Sequence, residues 1–397
     1  MQSSFGRRAL AAAALAGLGI ALGLGTLEVA VRMLHLVPSH FWVPDPTLGS
    51  KLIAGQRGWW TQEEHEFTTP IQINAEGRRD LERPVHKPPG TYRILLLGDS
   101  FVEAMQVPLE QTFARTLEAA LNRPGGPPVE VISMGVSGYG TASQYLWYRD
   151  QGRAYQPDLV LLAFYPGNDV RNNSPTLEPT LRPEYDADGN LERVNGGTPH
   201  SGDGRGWLVS SAAYTYFRKL IITQQPALAE RLARLGLLDK GALRPVPMAA
   251  GVPVDYWVYA ANPPPEWEDA WARTERLLGT MRSLVTADGA RFVVMIVTTR
   301  EQIYPDDWRQ IVDTYPAMQH ITWDLNGPER RVAAWCAHNG IACVQLSPEF
   351  VARRDGERLH FRYDGHWTAA GHALAAQTIA KFLRAAAWLP AQYVEGP

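Results

Sequence analysis

Five short apolar runs, each closed by turn residues, constrain this chain more than any other feature. They are Arg93–Leu97 (RILLL), Val129–Met134, Leu159–Phe164, Phe292–Val297 and Ala342–Leu346. Runs of this length without polar alternation suit strands covered on both faces, as in parallel sheets. Helical patterns lie between them, at Thr112–Asn122, Thr141–Arg149, Glu266–Thr286 and Glu329–Asn339, and a last helix is expected from about Ala369 to Ala387. Strand and helix in alternation predict βαβ units: an α/β fold with one parallel five-stranded sheet and helices on both faces. The third and fourth runs are too far apart for a single crossover helix, so residues 171–265 read as an insertion. It starts polar and rich in Pro and Gly (Pro175–Arg205). It then turns helical and aromatic, with Trp207, Tyr214, Tyr216, Phe217, Tyr256, Trp257 and Tyr259. Segments this long are usually functional, and a lid over the carboxyl edge of the sheet is the expectation. Its aromatics suit either a core or a surface that stacks on sugar rings.

At the other end, Ala9–Leu27 (ALAAAALAGLGIALGLGTL) is uncharged over 19 residues. As a helix that is about 28 Å, enough to cross a hydrocarbon core. Arg7 and Arg8 precede it, which orients the N-terminus to the cytoplasm and everything after residue 30 to the outside. A cleaved signal peptide is the rival reading. The run exceeds a usual signal core, however, and continues into LEVAVRML, where Glu28 and Arg32 stand four apart on a helix. An uncleaved signal anchor covering residues 1–37 is therefore expected, followed by a Pro-, Gly- and aromatic-rich lead-in over 38–90. The lead-in carries a hairpin formed by GWWTQ and EFTTPIQIN. The main domain spans 91–390, interrupted by the insertion.

The net charge of −3, from 38 basic and 41 acidic residues, argues against a nucleic-acid partner bound through a general electrostatic footprint. Only five of the basic residues are Lys, which with the many alanines suggests a GC-rich bacterial genome. Cys336 and Cys343 are the two cysteines. They build neither a cysteine-rich zinc site nor a C-x-x-C motif. They read as one disulfide in an oxidising compartment or as two small buried residues.

The residues that carry chemistry stand where the strands end. In open parallel sheets the site lies beyond the carboxyl ends of the strands. Gly98-Asp99-Ser100 follows the first run and opens a helix, a position that exposes a Ser hydroxyl beside helix N–H groups. Gly135-Val136-Ser137-Gly138-Tyr139-Gly140 follows the second and offers unobstructed backbone donors. Pro166-Gly167-Asn168-Asp169 follows the third and offers an amide. Arg362-Tyr363-Asp364-Gly365-His366-Trp367-Thr368, after the fifth, supplies an imidazole and a carboxylate two residues apart, which point the same way in an extended segment. Alone, each block is a turn or a helix cap; together they converge on one sheet edge. His372 reads as a packing residue, His360 as a weaker alternative base, and Asp99 and Asp169 as braces of their loops.

This set resembles the SGNH/GDSL hydrolase superfamily over about 90–170 and 285–390. The resemblance implies a flavodoxin-like α/β/α sandwich. It also implies Ser100 as nucleophile, His366 as base, Asp364 as its partner, and Ser100, Gly138 and Asn168 as the oxyanion hole. Three departures stand out. Ser133 occupies a frequent Asn position in the second block, Pro166 replaces the first Gly of the third, and the last block is D-x-H where the family has D-x-x-H. The stretch DGHWT resembles the D-x-H-W-T motif of the alginate O-acetyltransferase relatives, in which it precedes the Ser block; here it follows. The expected activity is a membrane-anchored, extracytoplasmic serine esterase acting on O-acyl esters of cell-envelope or exopolysaccharide glycans. The expected place is the bacterial inner membrane, with the catalytic domain outside. An O-acyltransferase, a lipase or thioesterase acting on lipid, and a non-catalytic envelope scaffold are the alternatives. No cofactor or metal is expected, and the oligomeric state is open.

Overall fold

The computed structural model describes residues 2–62, 64, 66–186, 190–196, 211–238, 247–390 and 393, with the side chains of 2–10 left aside. The five apolar runs form one parallel sheet: β1 (Tyr92–Gly98), β2 (Val129–Gly135), β3 (Leu159–Phe164), β4 (Arg291–Ile296) and β5 (Ala342–Gln345). The spatial order is β2-β1-β3-β4-β5, the flavodoxin-like order, with a topological switch point between β1 and β3. Successive side chains on a strand face opposite ways, and the burial follows this rule. Leu95, Leu97, Val160, Leu162 and Val294 pack into one core; Ile94, Leu96, Leu161, Ala163 and Val293 pack into the other.

Helices cover both faces, as expected from the sequence. The apolar N-terminal helix is α1 (Gln2–Met33). It is followed by α2 (Ser100–Glu103), α3 (Phe113–Leu121), α4 (Thr141–Asp150), α5 (Ala212–Gln224), α6 (Glu266–Ala287), α7 (Gly327–His338) and α8 (Ala369–Ala385). Residues of α4, α6 and α7 enter the first core and those of α3 and α8 the second. The short helices Pro305–Thr314 and Ser347–Arg353 were not expected. Each begins with Pro in its first turn; Pro305–Thr314 carries Trp308, Ile311 and Val312 at helical spacing, a signal the sequence did offer, whereas Ser347–Arg353 is too short for the 3.6-residue period to show.

Within α1, Ala11–Met33 is long and apolar enough to cross a membrane. The helix runs through LEVAVRML as its charge spacing suggests, with Arg32 paired to Glu28 at 2.6 Å. Glu28 also accepts hydrogen bonds from the Ser211 hydroxyl (2.7 Å) and the Ala212 and Ala213 N–H groups (2.9 Å each), capping α5. The hairpin of the 38–90 segment is Arg57–Thr61 paired antiparallel with Thr68–Gln72. A second one, Trp42–Asp45 with Gly49–Leu52, precedes it. Both pack on the sheet: Phe41, Leu48, Leu52, Ile71 and Ile73 belong to the first core. Arg79, buried, donates to the carbonyls of Glu103 (2.9 Å), Ala104 and Val107. Asp80 accepts from the Ser133 N–H in β2 at 2.8 Å.

Among the described residues of 171–265, a hairpin (Arg182–Tyr185, Leu191–Asn195) lies against α4, and α5 lies against the end of α1. Trp257 and Tyr259 are core residues, so they are not available to stack on a ligand; Phe217 of α5 is exposed. Trp207 lies outside the described residues. Cys336 and Cys343 are both free thiols, the first buried at the end of α7 and the second on β5.

The sheet centre carries the stability. Leu161 of β3 is fully buried between two flanking strands. Its replacement by Ala leaves a cavity and is expected to cost about 2–5 kcal/mol, measured as a lower unfolding midpoint of the detergent-solubilised chain.

Candidate active site

The carboxyl ends of β1, β2 and β3 and the loop before α8 meet at one place. After β1 the chain turns at once into α2. Asp99 caps this helix, its Oδ1 accepting from the Phe101 N–H at 2.9 Å. Ser100 is thereby the first helical residue, at the positive end of the turn. Its Oγ lies 2.7 Å from His366 Nε2, and His366 Nδ1 lies 2.6 Å from Asp364 Oδ1. A carboxylate can only accept, so Nδ1 carries the proton and Nε2 is left to accept from the Ser100 hydroxyl. Asp364 is two residues from His366, the spacing noted in the sequence. Gly365 between them has φ +86°, a left-handed conformation that favours Gly. It folds the segment into a tight turn in which the His366 N–H also reaches Asp364 Oδ1, at 3.2 Å. The two side chains therefore meet across a turn, where an extended run had been expected.

Gly138 and Asn168, the other two donors expected from the sequence, lie in the turns that follow β2 and β3. Gly138 has φ +81°, with open space where a Cβ would stand, and its carbonyl is tied to Asn172 Nδ2 at 2.9 Å. Asn168 sits in the short turn after β3 and gives one amide hydrogen to Asp99 Oδ2 at 2.7 Å, which leaves the second for another acceptor. Pro166 occupies the first position of this turn as a helix opener, where its missing N–H costs nothing. The departure from the family pattern thus leaves Asn168 in place.

Charge at the site is set by burial against hydrogen bonding. Burial alone would lower the His366 pKa, but the Asp364 hydrogen bond and the negative charge of Asp364, Asp99 and Glu103 outweigh it and raise it above 6.5. For Asp364 burial raises the pKa, and the bonds from His366 and Gln106 more than compensate, so it stays below the ordinary carboxylate value. Asp99, fully buried, is pushed up to about 6 by desolvation. Asp169 is raised further by burial and by Asp99; it accepts from the Tyr165 N–H at 2.6 Å and the Thr141 hydroxyl at 3.1 Å. Both aspartates thus brace their turns, as the sequence reading has it.

The other histidines stand apart from Ser100. His360 is buried, held by Thr298 through its hydroxyl (3.3 Å) and carbonyl (3.2 Å), and lowered to about 3 by desolvation. His372 is likewise buried and lowered to about 3; its Nδ1 accepts from the Phe113 N–H at 3.2 Å, at the start of α3. Neither is placed to take a proton from Ser100.

Two residues near the site escaped the sequence reading. Glu103, on α2, is fully buried. It accepts from Trp42 Nε1 (2.9 Å), the Ser137 N–H (3.1 Å) and the Ser137 hydroxyl, so it ties the Gly138 loop to the helix of Ser100. Desolvation pushes its pKa up to about 7. Gln106, on the segment after α2, donates to Asp364. A lone carboxylate inside the apolar stretch FVEAM was the available signal for the first. Beside Asp364 a cleft of about 490 Å³ opens between Val37, Trp60, Gln62 and the α5 residues Arg218 and Ile222. Among the described residues no cluster of three or more His, Cys, Asp or Glu could hold a metal ion.

The electrostatics can be checked directly. By NMR, the His366 imidazole is expected to titrate above 6.5. Asp364→Asn removes the largest of the groups that hold it up against burial, so the titration should move to lower pH.

Comparison with known proteins bears on the same region. The family described as SGNH hydrolase-like domain, acetyltransferase AlgX matches residues 254–395. That stretch contains Asp364 and His366 but not Ser100, Gly138 or Asn168. Among solved structures, a catalytic mutant of the acetylxylan esterase Axe2 from Geobacillus stearothermophilus is similar. The two share 11% identity, with 77% of this chain and 97% of that one covered, at a TM-score of 0.38. A GDSL-like lipase from Bacteroides thetaiotaomicron shares 15% identity over 74% of this chain and 88% of its own, at 0.33. A lipase/acylhydrolase from Enterococcus faecalis shares 13% over 74% and 95%, at 0.35. No curated protein matches. Residues 254–395 of this chain are thus similar to the SGNH hydrolase-like domain of the acetyltransferase AlgX.

Proposed function

We propose that the chain is a serine esterase of the cell envelope that cleaves O-acyl esters of glycans. The observation that carries the reading is the continuous relay from Asp364 through His366 to Ser100, at 2.6 and 2.7 Å. In this reading Ser100 Oγ attacks the ester carbonyl carbon while His366 Nε2 takes its proton. The C–O double bond opens to an oxyanion, which the N–H groups of Ser100 and Gly138 and the free amide hydrogen of Asn168 stabilise. The imidazolium then returns its proton to the departing alkoxide, the acyl–alcohol bond breaks, and an acyl-Ser100 ester remains. Water, deprotonated by His366, releases the acid and restores the Ser100 hydroxyl. Asp364 stays ionised throughout and stabilises the imidazolium. No step needs a cofactor.

The envelope location rests on the apolar helix Ala11–Met33 and on the Arg7–Arg8 pair before it, which orient the catalytic domain outward as an anchored single-pass protein. The glycan substrate rests on the D-x-H-W-T stretch and on the AlgX relationship. The same relationship favours a second reading, in which a sugar hydroxyl replaces water and the acyl group is transferred. The cleft beside Asp364, walled by α5 and the hairpin, is where such an acceptor would lie.

Ser100→Ala should abolish fluorophosphonate labelling and lower turnover of an acetylated sugar by about 10⁴-fold or more. The unfolding midpoint should change little, because no core contact is lost. Retained labelling would place the nucleophile elsewhere. Asn168→Ala should lower kcat by roughly 10²–10³-fold, the usual effect of losing one oxyanion donor. Partition of a labelled acyl-enzyme between water and added glycan separates the two readings. Label found mostly on the sugar at modest glycan concentration replaces the esterase with the acyltransferase.

A further inference from the structure

The turn that carries Asp364 and His366 is held from outside itself. Glu66 lies in the loop that joins hairpin strands Arg57–Thr61 and Thr68–Gln72. Its Oε1 accepts from the Arg362 N–H at 2.6 Å, and its Oε2 accepts from the N–H groups of Tyr363 (2.8 Å) and Asp364 (3.0 Å). Three consecutive backbone donors thus converge on one carboxylate, the concave arrangement in which a backbone binds an anion. Bonds to a charged acceptor are stronger than neutral ones. The Glu66 N–H is bonded in turn to Gln62 Oε1 at 3.2 Å, and the rings of Phe67 and Phe361 stand 4.9 Å apart on the same side. Tyr363 is exposed and Gly365 is in a left-handed conformation, so the turn has little packing of its own to define it.

We propose that Glu66 is a positioning residue for the catalytic turn, holding Asp364 and His366 in register with Ser100, so that the membrane-proximal hairpin is part of the catalytic apparatus. This rests on the reading of Ser100, His366 and Asp364 given above. Glu66 touches none of the reacting atoms. It fixes the backbone of Asp364, and through it the Oδ1–Nδ1 contact that orients the imidazole. On the opposite side the turn is held by Arg300, which donates to the Arg362 carbonyl, and by strand-like pairing of His360 with Trp367. Neither reaches the three N–H groups.

The groups that set the charge of His366 are Asp364 on the turn, Asp99 at the end of β1 and Glu103 on α2. Asp99 and Glu103 sit on elements that Glu66 does not touch. Loss of Glu66 therefore weakens only the Asp364 contribution. That contribution raises the His366 pKa, so its weakening lowers it. The active enzyme needs neutral imidazole, and the acid limb of the rate profile should move to lower pH even as the maximal rate falls.

The test uses the full chain in detergent with p-nitrophenyl acetate, a substrate too small to contact the hairpin. Glu66→Ala should lower kcat on the order of 10²-fold, the effect of misplacing a catalytic group by about 1 Å. KM should stay within about twofold, and the acid limb should shift to lower pH. Glu66→Gln keeps the shape and one acceptor oxygen, and should recover part of the rate; it also serves if the Ala variant does not fold. A folded variant with unchanged kcat and an unmoved acid limb overturns the proposal. So does a lower unfolding midpoint without either change, which would make Glu66 merely structural. In a Ser100→Ala background, the NMR titration of His366 reports the same positioning without any turnover. A downward shift on adding Glu66→Ala supports the proposal, and no shift overturns it. Failure of the nucleophile assignment shows separately, as fluorophosphonate labelling that survives Ser100→Ala alone.

Discussion

The 2.6 Å hydrogen bond between Asp364 Oδ1 and His366 Nδ1 organises the site. It selects the tautomer that leaves Nε2 facing Ser100, it raises the imidazole pKa against the pull of burial, and it closes the turn around Gly365. The turn is in turn held on both sides. Glu66 gathers the N–H groups of Arg362, Tyr363 and Asp364, and Gln106 reaches the Asp364 carboxylate. A contact between two side chains only two residues apart thus depends on elements nearly 300 residues away in the chain.

Around this contact the protein buries three more carboxylates, Asp99, Glu103 and Asp169. Each is desolvated, and each has its pKa raised for that reason. Such groups are costly unless their hydrogen bonds are made. Here every one of them accepts from the backbone of a turn at the carboxyl edge. Asp99 caps α2 and holds Asn168, Glu103 holds the Ser137–Gly138 loop, and Asp169 holds the turn at Tyr165. The oxyanion donors proposed for the reaction are therefore each braced by a buried carboxylate. That gives the site a fixed polar frame before any substrate arrives, the condition under which hydrogen-bond donors stabilise developing charge most.

The AlgX relationship covers only the C-terminal third, with the Asp and His, while Ser100 stands some 150 residues before the matched stretch. Chain order does not matter to a relay of this kind; geometry does. The sheet order brings the end of β1 beside those of β2 and β3, and the loop before α8 folds back over them. In the proposed reaction, whether the acyl group passes to water or to a sugar is a matter of what occupies the cleft beside Asp364. That cleft is bounded by the hairpin and α5, outside the part shared with the flavodoxin-like sheet.

The sequence by itself determined the strands, the principal helices, the apolar N-terminal helix and the blocks at the strand ends. All of these are local signals: a buried parallel strand is an unbroken apolar run, an amphipathic helix repeats every 3.6 residues, and glycines and caps mark the turns. Ser100, Gly138, Asn168, Asp364 and His366 were legible because each lies in a turn with its own composition. Glu66, Glu103 and Gln106 were not. A carboxylate or an amide in a half-buried loop looks like surface until its partners are known, and those partners are backbone N–H groups and side chains that carry no residue-specific signal. The short helix at 347–353 escaped because it is too short to show a period, while the one at 305–314 carries a readable period in Trp308, Ile311 and Val312. Only the tertiary structure decided that the 38–90 segment packs on the sheet and grips the turn of Asp364 and His366. Hydrogen bonds between distant segments form once the chain has paid the entropy of bringing them together, and nothing in either segment alone records the other.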